Sequence, residues 1–396
     1  MAHTWPVTRG KRAAIRVMDA LGSSLSAPLR WLRKAPPDAS SIRRILVIEP
    51  WNIGDVVLAT PLLAELRRRF PAASIALLAK THAKEILRES GLVDEVFECD
   101  LPWTRSRGKY RLSGADAKAL AGIVRKLRRG RFDLTLDARG DPRSNLLAAM
   151  AGASRRIGYD LGGGWLLTDA LATDPDKHHK IVDWLRLLGP LSTELADAEL
   201  LAETVQASTG APTLCVTEEE IRSAKKTLAA LGVTAKPVVG YHPGGSHAGK
   251  RWPLERFAEL SGDLSSRFRG STVVFLEPGW FGRSGAWASG AVFVEAGLRD
   301  LMVHLKCCDV LVCNDSGPMH LADALGVPVV AIFESGNPQW YGPSGPKATV
   351  VKGKQAGIGI STRPADLPPQ NPVAVQTVYS AAAALLRELG FQRENG

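Results

Sequence analysis

The sequence predicts an α/β protein with two doubly wound parallel sheets, and three observations point to this fold class. The chain has 396 residues, which is the length of two or more average domains. Continuous apolar runs, typical of buried parallel strands, alternate with helical patterns in two series. The alternation lapses once, near residues 190–215, where the sequence is rich in Glu, Ala, Ser and Thr. We therefore expect one domain on each side of this stretch.

The domain limits follow from these patterns. We expect a basic extension over residues 1–43, a first domain over 44–200, a second domain over 201–375, and a carboxy-terminal helix and tail over 376–396. In the first domain the predicted strands are 45–48, 74–78, 95–98 and 134–137, and the predicted helices are 56–70, 84–90 and one that ends at 128.

In the second domain, a second series shows the same alternation of strands and helices. A helix over about 218–231 precedes it, and the predicted strands are 237–241, 271–276, 310–312 and 327–333. The predicted helices between them are 253–268, 298–306 and 319–325. Ligands of open α/β sheets bind at the carboxyl ends of the strands, so we expect the functional site in a cleft between the two domains.

Composition excludes several classes of protein. The chain is 45% hydrophobic and 23% charged, as in ordinary globular proteins, which argues against disorder. Its five cysteines are odd in number and form no CxxC pair, which argues against a disulfide framework or a zinc ribbon and fits a reducing cytoplasm. No apolar run approaches the roughly 18 residues that a membrane-spanning helix needs.

The positive charge is concentrated at the amino terminus. The whole chain carries +10 and residues 1–44 carry +7, so the rest is nearly neutral, which disfavours a nucleic-acid-binding protein. Residues 9–34 combine helical periodicity with a basic polar side and are interrupted by Pro28. This segment is interpreted either as a helix on the anionic surface of the inner membrane or as a helix packed on its own domain.

Two motifs in the second domain are candidate phosphate sites. The first is His242-Pro243-Gly244-Gly245-Ser246, followed by Lys250. Gly244 to Lys250 matches GxxxxGK, but Arg251 replaces the magnesium-binding Ser/Thr and Pro253 delays the helix, so a P-loop is disfavoured. The second motif, residues 314–320, ends a strand and begins a helix. It is interpreted either as a pyrophosphate site formed by exposed N–H groups or as an ordinary capped helix start.

In the first domain, Asn52-Ile53-Gly54-Asp55 occupies the corresponding strand end. Asp55 is a candidate general base, and the alternative is that it only caps its helix. Weaker candidates are the DxD of Asp174 and Asp176, interpreted as a turn rather than a metal site, and Gly162-Gly163-Gly164, interpreted as a flexible turn.

Taken together, these stretches resemble glycosyltransferase family 9, the ADP-heptose:lipopolysaccharide heptosyltransferases. The resemblance covers residues 44–345 and rests on motifs in matching order: 45–63, 132–133, 143–144, 156–159, 179–188, 242–246, 250–253, 314–320, 327–328 and 340–343. It implies a GT-B fold, with two Rossmann-like domains, and an inverting, metal-independent enzyme without a cofactor. The implied partners are a nucleotide-sugar, ADP-heptose, and a lipid-linked or lipopolysaccharide-core acceptor at the cytoplasmic face of the inner membrane.

The resemblance also implies roles for individual residues. Asp55 would be the catalytic base, and the acceptor side would include Asn52, Gly54 and Arg143. The donor would be bound by residues of the two phosphate motifs: Gly244, Gly245, Ser246, Lys250, Asp315, Ser316, Gly317, Met319 and His320.

The sequence departs from the family pattern after the strand that ends at 276. There the family commonly has a Gly-Gly stretch and a glutamate for the ribose, whereas this chain has Glu277-Pro278-Gly279-Trp280-Phe281. The donor nucleotide could therefore differ. The alternatives are a transferase of the same family with another nucleotide-sugar, and a non-catalytic nucleotide-sugar-binding protein.

Overall fold

The computed structural model describes residues 19, 20, 22, 24, 39–105, 113–172, 178–191, 212–277, 287, 290–354, 369 and 371–392. The chain divides into two compact units, Met1–Gly210 (unit 1) and Ala211–Gly396 (unit 2). The division falls inside the stretch where the sequence pattern lapses. Each unit contains a six-stranded sheet in which every described pairing is parallel, so the predicted fold class, two doubly wound Rossmann-like domains as in GT-B proteins, is confirmed.

Unit 1 alternates strands and helices as predicted, with two further short strands at one side of the sheet. Its strands are β1 Arg44–Glu49, β2 Ser74–Ala79, β3 Glu95–Glu98, β4 Leu134–Asp137, β5 Arg155–Tyr159 and β6 Asp169–Leu171. Its helices are α1 Ile53–Leu58, α2 Thr60–Arg69, α3 His82–Ile86, α4 Gly114–Arg129, α5 Pro142–Ala151 and α6 Lys180–Arg186. The strand order is β3-β2-β1-β4-β5-β6.

One predicted helix of unit 1 is divided. The pattern predicts a single helix over 56–70, but α1 begins at Ile53 and ends at Leu58, and α2 begins at Thr60, with Ala59 between them. Pro61 explains the division, because proline has no N–H to donate to the preceding turn and is tolerated only near a helix start. The earlier start places Asp55 in the first turn of α1.

Unit 2 repeats the topology of unit 1. Its strands are β7 Val238–His242, β8 Ser271–Leu276, β9 Val292–Glu295, β10 Val310–Asn314, β11 Val329–Phe333 and β12 Ala348–Lys352. Its helices are α7 Glu218–Ala230, α8 Leu254–Phe268, α9 Leu298–Lys306, α10 Gly317–Ala324, α11 Pro338–Tyr341 and α12 Val375–Glu388. The strand order is β12-β11-β10-β7-β8-β9.

The carboxy-terminal helix α12 forms part of the core of unit 2. Val378, Ala382 and Leu386 are fully buried in the hydrophobic cluster that contains Trp252 and Phe257. The indole N–H of Trp252 donates to the carbonyl of Val373, 2.8 Å away, just before the helix. The stability of unit 2 therefore depends on α12.

Part of the amino-terminal segment packs on unit 1. The carboxylate of Asp19 accepts a hydrogen bond of 2.6 Å from the N–H of Gly163, and Gly22 lies against the indole of Trp165. Residues 162–164 therefore form a docking point rather than only a flexible turn. These contacts favour the interpretation of a helix packed on its own domain, although most of residues 9–34 lie outside the described residues. No helix in the described part of the chain is long and apolar enough to cross a bilayer.

Candidate active site

The candidate site residues follow the strands at which each sheet reverses its order. In unit 1 this point lies between β1 and β4, and in unit 2 it lies between β7 and β10. In doubly wound sheets the loops diverge there and leave room for a ligand outside the carboxyl ends of the strands. Asp55 follows β1, Lys250 follows β7, and Asp315 follows β10. Each sheet therefore carries predicted site residues at the position where ligands bind.

Asp55 has a structural contact and a charged partner at the same time. Its Oδ2 accepts a hydrogen bond of 3.1 Å from the N–H of Asn52, the residue that precedes α1. Its Oδ1 forms an ion pair with Nη2 of Arg139. The side chain is 15% exposed. The cap and a chemical role are therefore compatible, because a carboxylate has four lone pairs and only some are occupied.

Sequence reasoning did not identify two charged neighbours of Asp55. Arg139 follows β4, and its guanidinium lies 5.1 Å from the centre of the Trp51 ring. Glu49, the last residue of β1, is fully buried and lies 3.4 Å from Nη2 of Arg139. Burial raises the pKa of Glu49 to about 8. An acidic residue at the end of an apolar strand was the available signal for Glu49, because such an end faces the ligand edge of the sheet.

The predicted acceptor-side residues lie at the same edge of unit 1. Asn52 is exposed and Gly54 lies in the first turn of α1. Arg143, in the first turn of α5, donates through Nε to Asp141 at 2.8 Å, and its guanidinium lies 5.4 Å from the centre of the Trp103 ring. Two arginines, Arg139 and Arg143, are thus held against tryptophan rings at the ends of neighbouring elements. Such planar cations suit carboxylate or phosphate groups.

The glycine loop after β7 is held in place by Asn314. The Asn314 amide donates to the carbonyls of Pro243 and Gly244 at 2.8 and 3.1 Å. A Cβ on Gly244 would lie 2.4 Å from Oε1 of Glu277, so a larger residue would require the Glu277 or His242 side chain to move. Glu277 follows β8 directly, and the rest of the divergent stretch lies outside the described residues. Gly244 and Gly245 are buried, whereas Ser246 is exposed.

Lys250 and Asp315 are brought together by the fold. Nζ of Lys250 lies 2.5 Å from Oδ2 of Asp315, and their side chains are 26% and 7% exposed. Gly336, after β11, lies beside the pair, and a Cβ there would lie 2.8 Å from Oδ2 of Asp315. Ser335 donates its hydroxyl to the carbonyl of Gly249 at 2.9 Å and thereby fixes the loop that carries Lys250. The contribution of residues 335–336 was missed, because only the parallel pairing of β10 and β11 brings them here.

The start of α10 follows β10 at the carboxyl edge of the sheet of unit 2. Ser316 precedes the helix, but its hydroxyl contacts the carbonyl of Asn314 at 3.2 Å and Nδ1 of His242 at 3.4 Å and does not cap the helix. Gly317 has no side chain to cover the first turn, where the helix dipole favours negative charge. Met319 and His320 are buried, and the N–H of Met319 donates to the carbonyl of Ser316 at 3.2 Å.

The weaker candidates gain no support as chemical sites. Asp174 and Asp176 lie outside the described residues. Among the residues that the structure describes, no group of three or more His, Cys, Asp or Glu side chains could hold a metal ion. Cys307 and Cys308 are buried free thiols whose pKa values are raised by burial, as expected for core residues.

Comparison with known proteins identifies the family. The family model described as glycosyltransferase family 9 (heptosyltransferase) matches residues 120–280 and 284–361, which is more than half of the chain. The chain belongs to glycosyltransferase family 9. It is therefore a glycosyltransferase, and the predicted family and enzyme class are confirmed.

Known members of family 9 match most of the chain. Lipopolysaccharide heptosyltransferase 2 of Salmonella typhimurium is 26% identical over 329 residues, which cover 78% of this chain and 88% of that protein. A family 9 glycosyl transferase from Veillonella parvula superposes with a TM-score of 0.69 at 22% identity, over 87% of this chain and 97% of that one. The Escherichia coli ADP-heptose lps heptosyltransferase II superposes with a TM-score of 0.65 at 22% identity, over 88% and 99%. These two structures show the shared fold.

Proposed function

We propose that the protein transfers heptose from ADP-heptose to a lipopolysaccharide-core or related lipid-linked acceptor, with inversion at the transferred carbon. The observation that carries this proposal is a division of chemistry between the sheets. Unit 1 has a carboxylate at its point of strand-order reversal, and unit 2 has a lysine and an uncapped helix start at its own. The family membership and the names of the relatives, which include an ADP-heptose lps heptosyltransferase, support the substrates.

In this proposal, unit 2 binds the donor. Lys250 contributes a charge-assisted contact to the diphosphate, and the N–H groups at the start of α10 contribute further donors. The loop over Gly244, Gly245 and Ser246 lets main-chain N–H groups approach the same anion. Asp315, which pairs with Lys250, accepts hydrogen bonds from hydroxyls of the donor sugar in this proposal. These groups stabilise the nucleoside diphosphate as it leaves.

Asp55 acts as the general base. The O–H bond of the acceptor hydroxyl breaks and its proton passes to Asp55, while the oxygen attacks the anomeric carbon of the donor. The bond from that carbon to the diphosphate breaks, and the electron pair leaves with the nucleoside diphosphate. Attack opposite the leaving group inverts the configuration. Asn52 and Gly54 shape the start of α1 beside the base, and Arg143 offers a cation to an anionic group of the acceptor.

We further propose that the reaction is metal-independent and needs no cofactor. The lysine and the helix start supply the positive potential that a divalent ion supplies to the diphosphate in other transferases. Turnover in the presence of EDTA tests this proposal directly. Activity that EDTA abolishes and magnesium or manganese restores would contradict it.

We propose that the protein acts as a peripheral enzyme at the cytoplasmic face of the inner membrane, where a lipid-linked acceptor would be anchored. Contact of residues 9–34 with anionic lipid is a separate prediction. A family member with another nucleotide-sugar is the second candidate, because residues 277–281 depart from the family pattern. A thermal-shift panel of nucleotide-sugars distinguishes ADP-heptose from another donor, because only a ligand that binds raises the melting temperature. A ligand at a hundred times its dissociation constant adds roughly 2.7 kcal/mol to the free energy of unfolding.

The decisive experiment is Asp55→Asn, assayed as heptose transfer from ADP-heptose to a lipopolysaccharide-core acceptor that the wild-type chain uses. Asparagine keeps the size and can still accept the N–H of Asn52, but it cannot take a proton at neutral pH. We expect kcat to fall by roughly 10²–10⁴-fold, with unchanged affinity for ADP in calorimetry. A variant that keeps more than about a tenth of the normal kcat would remove Asp55 from the mechanism. A wild-type chain that binds ADP-heptose without transferring it would instead favour the binding-protein alternative.

A further inference from the structure

A chain of charged groups continues behind Asp55 into the interior of unit 1. Nη2 of Arg139 contacts Oδ1 of Asp55 and also lies 3.4 Å from Oε1 of Glu49. Glu49 is fully buried, and its Oε2 has no hydrogen-bond partner among the described residues. One guanidinium therefore connects the candidate base to a carboxyl group that has no contact with solvent.

Arg139 is fixed by contacts other than these two carboxyl groups. Its main-chain N–H donates to Oδ1 of Asp137 at 3.0 Å, and its guanidinium lies 5.1 Å from the centre of the Trp51 ring. The side chain is 15% exposed. A planar guanidinium can point separate N–H groups at two carboxyl groups and still lie against an aromatic ring, which an ammonium group cannot do. The position thus requires arginine and not merely a positive charge.

The protonation state of Glu49 decides how the arginine is shared. The charged or titratable groups that face Glu49 are Arg139, Asp55, Asp137 and the Cys99 thiol. Burial raises the pKa of Glu49 to about 8, so Glu49 is largely neutral at pH 7 and the charge of Arg139 is directed at Asp55. When Glu49 ionises, it becomes a second anion competing for the same guanidinium.

We infer that Arg139 is a positioning residue for the base Asp55, and that the buried Glu49 determines how firmly Arg139 holds it. The inference rests on the proposed role of Asp55 as the base. Arg139 orients one oxygen of Asp55 beside the buried Glu49. Neutral Glu49 leaves this pair intact, whereas ionised Glu49 draws the guanidinium away from Asp55.

The test uses the full chain and four variants. Arg139→Gln removes the positive charge, and Arg139→Lys keeps the charge but lacks the planar guanidinium. Glu49→Gln replaces the ionisable carboxyl group by an amide of nearly the same shape. Arg67→Gln is the matched control, because Arg67 forms another arginine–aspartate pair of unit 1, with Asp94 at 2.7 Å, away from the site. The readouts are kcat and KM for the acceptor as functions of pH, ADP affinity, and the infrared band of a protonated carboxyl group.

We expect Arg139→Gln to lower kcat by about ten-fold or more, because the base loses the group that orients it, while the acceptor KM and the ADP affinity stay the same. Arg139→Lys should restore only part of kcat, because an ammonium group cannot replace the planar guanidinium. Wild-type kcat should decline above about pH 8, and Glu49→Gln should remove both this decline and one protonated-carboxyl band. The Arg67→Gln profile should match the wild type.

Two results would overturn the inference. One is an Arg139→Gln enzyme whose kcat is unchanged, or whose only change is a higher acceptor KM, which would make Arg139 a substrate contact. The other is a Glu49→Gln enzyme that keeps both the decline of kcat above about pH 8 and every protonated-carboxyl band of the wild type. An inactive Asp55→Asn enzyme with normal Arg139 variants rejects this inference alone, whereas an active Asp55→Asn enzyme rejects the proposed base itself.

Discussion

The charged side chains of the candidate site are held in pairs. Asp55 has Arg139, Lys250 has Asp315, and Arg143 has Asp141. Each pair is half-buried or more, so removing one partner leaves the other charge poorly solvated. The pairs orient the groups that we propose bind substrate, and replacing one member should have a larger effect than the loss of a surface ion pair.

Lys250→Gln should weaken binding of ADP. The diphosphate loses a charge-assisted contact, which is worth about 1.5–3 kcal/mol, and the 7% exposed carboxylate of Asp315 is left next to the anion. Calorimetry with ADP measures the loss. Lys236→Gln is the matched control, because Lys236 pairs with Asp309 at 2.9 Å at the start of β7, at the opposite edge of the sheet. Equal ADP affinity of Lys250→Gln and the wild type would show that the phosphate site lies elsewhere.

Glu49→Gln should change how stability depends on pH. The pKa of Glu49 is raised from about 4.5 to about 8, so between these values folded unit 1 holds a proton that the unfolded chain has released. This contribution to the free energy of unfolding is therefore present below pH 4.5 and is lost as the pH rises to about 8. The variant lacks the titration, so its stability relative to the wild type should increase from pH 5 to pH 8. Urea midpoints of both proteins across this range test the prediction, and a constant difference would refute it.

At the scale of elements, the proposed base and part of the proposed phosphate site lie at the starts of two helices. The first turn of α1 carries Asp55, and the uncapped start of α10 lies beside the pair of Lys250 and Asp315. In both cases a buried strand precedes the helix, and a glycine, Gly54 or Gly317, lies in its first turn. The amino-terminal segment shows a different use of glycine, since Gly22 lets a helix approach the Trp165 indole closely.

Gly22→Ala should release the segment around residue 22 from unit 1. A Cβ on Gly22 would lie 2.1 Å from the Trp165 ring, which requires the helix or the indole to move. We expect faster amide hydrogen exchange in the peptide that contains residues 19–24. Gly122→Ala, in α4, is the control, because a Cβ there meets nothing within 4 Å and should stabilise the helix by about 0.5–1 kcal/mol. Unchanged exchange in Gly22→Ala would mean that the indole contact does not hold the segment.

At the scale of the whole molecule, each unit has its own sheet and its own core. The cluster around Leu46, Leu78 and Leu127 belongs to unit 1, and the cluster around Tyr241, Trp252 and Phe257 belongs to unit 2. All the proposed donor residues lie in unit 2, between residues 244 and 336. A unit with a complete core is expected to fold by itself.

Residues 211–396 expressed alone should therefore fold and bind ADP. The same fragment ended at residue 374 should fail to fold, because it loses α12 and its fully buried Val378, Ala382 and Leu386. Urea unfolding followed by circular dichroism tests cooperativity, and a thermal shift with ADP tests binding. A folded 211–396 fragment that binds no ADP, although the full chain does, would place essential donor contacts in unit 1.

The sequence by itself determined the fold class and most strands, and it predicted the candidate site residues. Buried parallel strands are continuous apolar runs, and the loops after them must carry glycines and helix-start residues, so Asp55, Gly244, Lys250 and Asp315 could be found from local pattern. The strands that were missed, β5, β6, β9 and β12, lie at or near sheet edges. They are short and partly exposed and therefore lack the apolar signal.

Only the tertiary structure decided which of these residues meet. Arg139 reaches Asp55 because β4 pairs beside β1, and Lys250 reaches Asp315 because β10 pairs beside β7. The raised pKa of Glu49 likewise results from burial by elements distant in sequence. Local sequence encodes backbone conformation and the burial of each face, whereas contacts between distant residues depend on strand order and register, which form only when the whole sheet assembles.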